Sequence, residues 1–150
     1  MNTKSNIDEF LAKKNIALFG VSRSKKKFGD TIFKELKSKN YNIIPLNPNI
    51  ETYNEQKCFS NIKDINTEVD AAVLVVKPEV TEKIIPGIIE SGIKNIWMQQ
   101  GSVSDKAVAY CREHEVNLVY NECILMFAEP VKSIHCFHRW LWKLLNKLPK

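Results

Sequence analysis

Short apolar runs alternate with amphipathic stretches along most of this chain, and the alternation predicts a series of strand and helix units. The runs Asn15 to Phe19, Tyr41 to Leu46, Ala71 to Val76, Asn95 to Met98 and Val116 to Tyr120 have the length and composition of strands. The run from Ala71 to Val76 is apolar at every position, as a central parallel strand requires when both its faces are covered. Between the runs, apolar residues recur at helical spacing. Asn6 to Lys14 carries Ile7, Phe10 and Leu11 on one side, with Ser5 or Asn6 as cap, and is expected to cover one end of a sheet. Phe28 to Ser38 carries Ile32, Phe33 and Leu36. Glu79 to Ser91 reads as a helix kinked at Pro86 and closed by Gly92. Ser104 to Glu115 starts on Ser104 as N-cap, with Asp105 in the first turn. The polar stretch from Ile50 to Val69 reads as an irregular connection with one helical turn around Asn61 to Ile65. At the end, Val131 to Leu148 sets Ile134, Phe137, Leu141, Leu144, Leu145 and Leu148 beside a row of Arg139, Lys143 and Lys147, a basic amphipathic helix.

Strands and helices in this order predict an α/β fold: a Rossmann-like, about five-stranded parallel sheet with helices on both faces. Residues 1–130 are expected to form that domain and 131–150 a helix packed on it. In such sheets ligands bind at the carboxyl ends of the strands, where the strand order reverses. The residues that break the apolar pattern all fall there. They are Gly20 to Gly29, Asn47-Pro48, Lys77-Pro78 and Gln99-Gln100-Gly101. The first is the most informative. An apolar strand ends in Gly20, then Val21, Ser22 and Arg23 lead through Lys25, Lys26 and Lys27 to Phe28, Gly29 and Asp30 at a helix start. Free amides and the helix dipole attract an anion at such a turn, and the basic side chains add charged donors. A phosphate-bearing ligand is therefore expected there.

Composition narrows the class. At 150 residues the chain suits one domain, and its apolar and charged fractions are those of an ordinary globular protein. No run approaches the length of a membrane span, and the polar start from Met1 to Phe10 does not read as a signal peptide, so a cytoplasmic protein is expected. Cys58, Cys111, Cys123 and Cys136 are far apart and form no C-x-x-C pair, which points to free thiols and no structural metal. The net charge of +5 comes entirely from Lys132, Arg139, Lys143, Lys147 and Lys150 in the tail. Packing of the tail helix on the sheet is expected; a docking helix for a protein partner or a membrane surface is the alternative, with Trp140 and Trp142 at the interface. No nucleic-acid motif accompanies the charge.

Two features argue against a nicotinamide dinucleotide. Ser22 stands where the second glycine of G-x-G-x-x-G belongs, and the second strand ends in Leu46-Asn47-Pro48-Asn49, without the acid that binds a ribose 2′-hydroxyl. A cation-rich entry turn suits a ligand with more phosphate, and coenzyme A fits. The chain from residue 15 to about 125 resembles the small bacterial CoA-binding domain family, which is similar to the CoA-binding half of the succinyl-CoA synthetase α subunit. The resemblance rests on Gly20-Val21-Ser22-Arg23, Phe28-Gly29, Ile44-Pro45-Leu46-Asn47-Pro48, Val69 to Val73, Ile96 to Gly101 and, more loosely, Asn121-Glu122-Cys123. It implies that coenzyme A is bound with Gly20 to Arg23 and Gly29 at the phosphates, and Lys27 and Phe28 beside them are expected to belong to the same cofactor-binding set. Asn47, Pro48, Val76, Lys77 and Pro78 then line the crevice, and Gln99, Gln100 and Gly101 close it. The segment Glu122 to Phe127 departs from the family pattern of an arginine before the cysteine and an acid and a histidine after it.

Catalysis is harder to read. His114, His135 and His138 are the only histidines, no Ser-His-Asp or Cys-His arrangement can be assembled, and Cys123 reads as a core thiol. The expected function is binding of coenzyme A or an acyl-CoA without chemistry. The alternatives are an NAD(P)-binding oxidoreductase and an interaction module acting through the basic C-terminal helix.

Overall fold

The computed structural model describes residues 2–128, so the tail helix and Cys136, His135 and His138 lie outside the described residues. The element order is α1 (Lys4–Leu11), β1 (Asn15–Phe19), α2 (Phe28–Ser38), β2 (Asn42–Leu46), β3 (Thr52–Tyr53), β4 (Gln56–Lys57), β5 (Ala71–Leu74), α3 (Pro78–Glu90), β6 (Asn95–Gln99), α4 (Asp105–Glu113) and β7 (Asn117–Glu122). Five strands pair in parallel in the order β2-β1-β5-β6-β7. The order therefore reverses between β1 and β5, and the carboxyl ends of those two strands part to leave a crevice.

Alternation along the strands builds two cores. Ile16, Leu18, Val73, Trp97 and Val119 face one way, against α1, α2 and the turn Ile124–Met126; Ala17, Phe19, Ala72, Leu74, Ile96, Met98 and Leu118 face the other, against α3 and α4. The expected fold class is the observed one. Trp97 is fully buried, edge-on to Phe10 at 5.3 Å, and its Nε1 donates to the Glu122 carbonyl at 3.1 Å. A buried indole needs that acceptor.

The element boundaries differ from expectation where capping decides them. Thr3 rather than Ser5 or Asn6 caps α1, accepting from the Asn6 amide at 3.1 Å, so the helix starts earlier and ends at Leu11. Helix α3 begins on Pro78 itself, a residue suited to the first helical position, and runs on through Pro86 to Glu90. Gly92, at φ +86°, follows it in the left-handed conformation expected after a helix. The connection after β2 is not wholly irregular. Asn54 and Glu55, at φ 46° and 63°, turn β3 into β4, and the single helical turn expected farther on is present at Ile62–Asp64, capped by Asn61. Next to it, Phe59 donates to the Pro45 carbonyl and accepts from the Asn47 amide, both at 3.0 Å, and so covers the outer edge of β2. Pro45 is tolerated because β2 is an edge strand. No helix of the described residues is long and apolar enough to cross a membrane.

Candidate functional site

Two glycines determine how closely the site is built. Gly20 ends β1 at φ +113°, and a Cβ there would lie 2.2 Å from the Val75 carbonyl oxygen. Gly29, in the first turn of α2, would place a Cβ 2.3 Å from the Gly20 carbonyl oxygen. β1, β5 and α2 thus meet through bare backbone, a contact no side chain permits. Val75 and Val76 consequently leave the sheet half-buried, instead of ending a six-residue strand, and line the space that opens beyond.

That space is a crevice of about 860 Å³ at the carboxyl ends of the strands. Gly20, Val21, Ser22, Arg23 and Lys27 come from the β1–α2 loop, and Asn47, Asn49 and Ile50 from the loop after β2. Val75, Val76, Lys77 and Val80 come from the end of β5 and the start of α3; Gln100, Gly101 and Ser102 follow β6. Its size is that of a cofactor site. Arg23, Lys27 and Lys77 are exposed around it. A smaller apolar pocket of about 160 Å³ opens alongside, sharing Gly20, Asn47, Val76 and Val80 and adding Phe19, Leu46, Pro48, Ser60 and Ile84.

The β1–α2 loop is held from beneath by Asp30, 1% exposed in the first turn of α2. Its carboxylate accepts from the Ser22 amide (2.8 Å), the Ser22 hydroxyl (2.6 Å), the Lys27 amide (2.8 Å) and the Tyr53 hydroxyl (2.7 Å). Burial opposes its charge, yet these donors together hold its carboxyl below the ordinary value of 3.8. The same arrangement, with burial foremost, pushes the Tyr53 hydroxyl far above its ordinary range. Across the mouth, Asn47 Nδ2 donates to the Val21 carbonyl and Arg23 Nη2 to the Asn49 carbonyl, each at 2.7 Å, while Asn47 Oδ1 accepts from the Asn49 amide at 2.8 Å. The two loops are stapled together.

Several sequence-nominated residues sit elsewhere. Gln99 is buried, and its Oε1 accepts from the Ile124 amide at 3.2 Å, so it supports the turn after β7 and does not close the crevice. Gly29 is buried under Gly20, and Phe28 projects outward, 42% exposed, apart from the crevice lining. Pro48 lines the apolar side pocket, and Pro78 starts α3. The expected free amides are also partly taken, since those of Ser22 and Lys27 are bonded to Asp30. Asn49, Ile50, Val75, Val80 and Ser102 line the crevice without having been nominated, because nothing in their residue type marks them. Asp30 carried a signal that went unused: an acid at the third helical position, where its side chain can reach back to the N-cap amide.

The chemistry of the remaining candidates is muted. Cys58, Cys111 and Cys123 are buried free thiols; burial raises Cys58 and pushes Cys111 up to about 12. His114 Nδ1 lies 2.8 Å from the Tyr110 carbonyl, with its ring stacked on Tyr110. Glu122 is the unusual group. A bulge at Asn121, φ 60°, brings it opposite Gln99, 7% exposed, with Oε1 accepting from Asn2 Nδ2 at 3.3 Å and Oε2 without a partner among the described residues. Burial raises its pKa above the ordinary 4.5, against the smaller effect of the Asn2 bond. The unfolded chain then loses this proton at lower pH than the folded one, so the penalty is absent in acid and grows as pH rises toward the folded value. Glu122→Gln is expected to raise the melting temperature by a few degrees at pH 7 and to leave it unchanged below pH 4.5, read by thermal denaturation across pH 4–8.

With this geometry in hand, comparison with known proteins decides the family. The sequence profile of the CoA binding domain matches residues 14–129. The chain belongs to the CoA-binding domain family. Among its relatives, an ADP-forming acetate–CoA ligase of Methanocaldococcus jannaschii is 33% identical over 81 residues, 54% of this chain and 12% of the ligase. The uncharacterized protein YneT of Bacillus subtilis is 27% identical over 123 residues, 81% of this chain and 91% of that one. In structure, a hypothetical protein from Pyrococcus horikoshii superposes with a TM-score of 0.81 at 28% identity, over 87% of this chain and 92% of that chain. The chain thus matches a small part of the ligase and nearly the whole of the two small proteins. The family resemblance read over residues 15 to about 125 is upheld.

Proposed function

We propose that this chain binds coenzyme A, free or acylated, in the crevice between β1 and β5, and carries out no chemistry of its own. The observation that carries this reading is the convergence of Arg23, Lys27 and Lys77 around a cofactor-sized crevice at the strand-order reversal. The residues fit a ligand rich in phosphate. Three cationic side chains ring the mouth, the adjoining apolar pocket offers a dry wall of Phe19, Pro48, Val76 and Ile84, and the end of β2 presents no carboxylate. Asn47, at the position a dinucleotide enzyme gives to its acid, spends its amide on Val21 and Asn49.

Binding without catalysis suits the described residues, where the three thiols are buried and His114 is committed to its own helix. The match to the acetate–CoA ligase covers only 12% of that enzyme, so its reaction is not carried over. Free buried thiols also suit the cytoplasm as the place of action.

Thermal denaturation with coenzyme A tests the proposal. Ligand at a hundredfold excess over Kd stabilises the folded state by about 2.7 kcal/mol, a clear rise in melting temperature. Arg23→Ala is expected to weaken binding about tenfold and to flatten its dependence on salt, through loss of a charge-assisted contact. No stabilisation by millimolar coenzyme A ends the proposal, and a larger shift with NADH transfers it to the dinucleotide alternative.

A further inference from the structure

We propose that Asp30 is a positioning residue for the ligand: by occupying the Ser22 and Lys27 amides, it sets the β1–α2 loop to offer side-chain cations, and not those amides, to the ligand's phosphates. This inference rests on the coenzyme A reading of the crevice. A helix start usually presents its amides to an anion. Here two of the loop's N–H groups point inward to a carboxylate at 2.8 Å each, and the Ser22 hydroxyl is drawn in with them at 2.6 Å. What the loop leaves exposed at the crevice is Arg23 and Lys27.

Tyr53 makes the arrangement rigid from outside the loop. Its hydroxyl donates to Asp30 at 2.7 Å, and its ring meets Phe33 edge-on at 4.9 Å, so the β3–β4 hairpin anchors the carboxylate against α2. The loop after β2, which leads into the hairpin, is tied to the β1–α2 loop as well, by Asn47 to the Val21 carbonyl and by Arg23 to the Asn49 carbonyl. Four donors converging on a single buried carboxylate give it one orientation, and the loop conformation follows.

The test compares coenzyme A with adenosine, which carries the same purine and no phosphate, by titration calorimetry and NMR on the wild type, Asp30→Asn and Tyr53→Phe. Electrostatics alone predicts that Asp30→Asn strengthens binding, since a negative charge beneath a polyanion is removed and two amides are freed. The proposal predicts the reverse: coenzyme A affinity falls at least tenfold in Asp30→Asn and about threefold in Tyr53→Phe, with adenosine affinity unchanged. Should Asp30→Asn fail to fold by circular dichroism, Tyr53→Phe, which keeps the ring and removes one donor, decides alone. Unchanged or tighter coenzyme A binding overturns the positioning role and leaves the binding reading intact. Equal losses for both ligands also overturn it, marking a merely structural defect. A wild type that binds neither ligand defeats the binding reading and this inference together.

Discussion

Gly20→Ala is expected to destabilise the protein by more than about 3 kcal/mol, enough to leave a large unfolded fraction at 37 °C. Two costs add at this position. The backbone at φ +113° disfavours any L side chain, on the order of 1–3 kcal/mol. The added Cβ would lie 2.2 Å from the Val75 carbonyl oxygen and 2.8 Å from its carbon, which are backbone atoms that cannot swing aside. Overpacking of that kind costs typically 1–3 kcal/mol, and here it forces apart the junction on which the crevice depends. Gly101 provides the control. It shares a positive φ of +85° but has open space where its Cβ would lie, so Gly101→Ala isolates the backbone cost. Urea denaturation of both variants checks the difference, and a loss under 1 kcal/mol for Gly20→Ala contradicts the close-contact account.

Asp30→Ala is expected to cost about 3–5 kcal/mol at pH 7. The substitution leaves the amides of Ser22 and Lys27 and the hydroxyls of Ser22 and Tyr53 without their acceptor, at 1–3 kcal/mol for each that stays buried and unpaired. The sign of its pH dependence follows from the carboxyl lying below its ordinary value. A group depressed in the folded state contributes stability above the unfolded pKa and loses it as pH falls through the folded one. The gap between wild type and Asp30→Ala is therefore widest at neutral pH and narrows below about pH 4, and chemical denaturation at pH 7 and pH 3 measures it. A gap that does not change with pH assigns the cost to packing alone.

These two positions also show what a chain discloses before it is folded. The five-strand series was legible because parallel strands buried on both faces are nearly continuous apolar runs, as at Ala71 to Leu74. The place of the crevice was legible for the same reason, since the polar and glycine residues that interrupt those runs fall at strand ends. Which of them face the crevice was not. Gln99 belongs to such an interruption, yet the strand's alternation and the bulge at Asn121 turn it toward the Ile124 amide. The resemblance implies Gly20 and Gly29 at the phosphates, and what the fold adds is that each makes room for neighbouring backbone. Asp30 went unread because its partners come from residues 22, 27 and 53, and only the fold brings the last of them near. The β3–β4 hairpin escaped because two-residue strands carry no period, and Glu55 is not a usual turn residue.

An NMR titration of ¹⁵N-labelled protein with coenzyme A tests the central claim most directly. Saturable shifts confined to the loop from Gly20 to Lys27, to Asn47 through Ile50, to Val75 through Lys77 and to Gln100 through Ser102 are the predicted result. Shifts that map to the exposed faces of α1 or α4, or a spectrum that does not change at millimolar ligand, would contradict it.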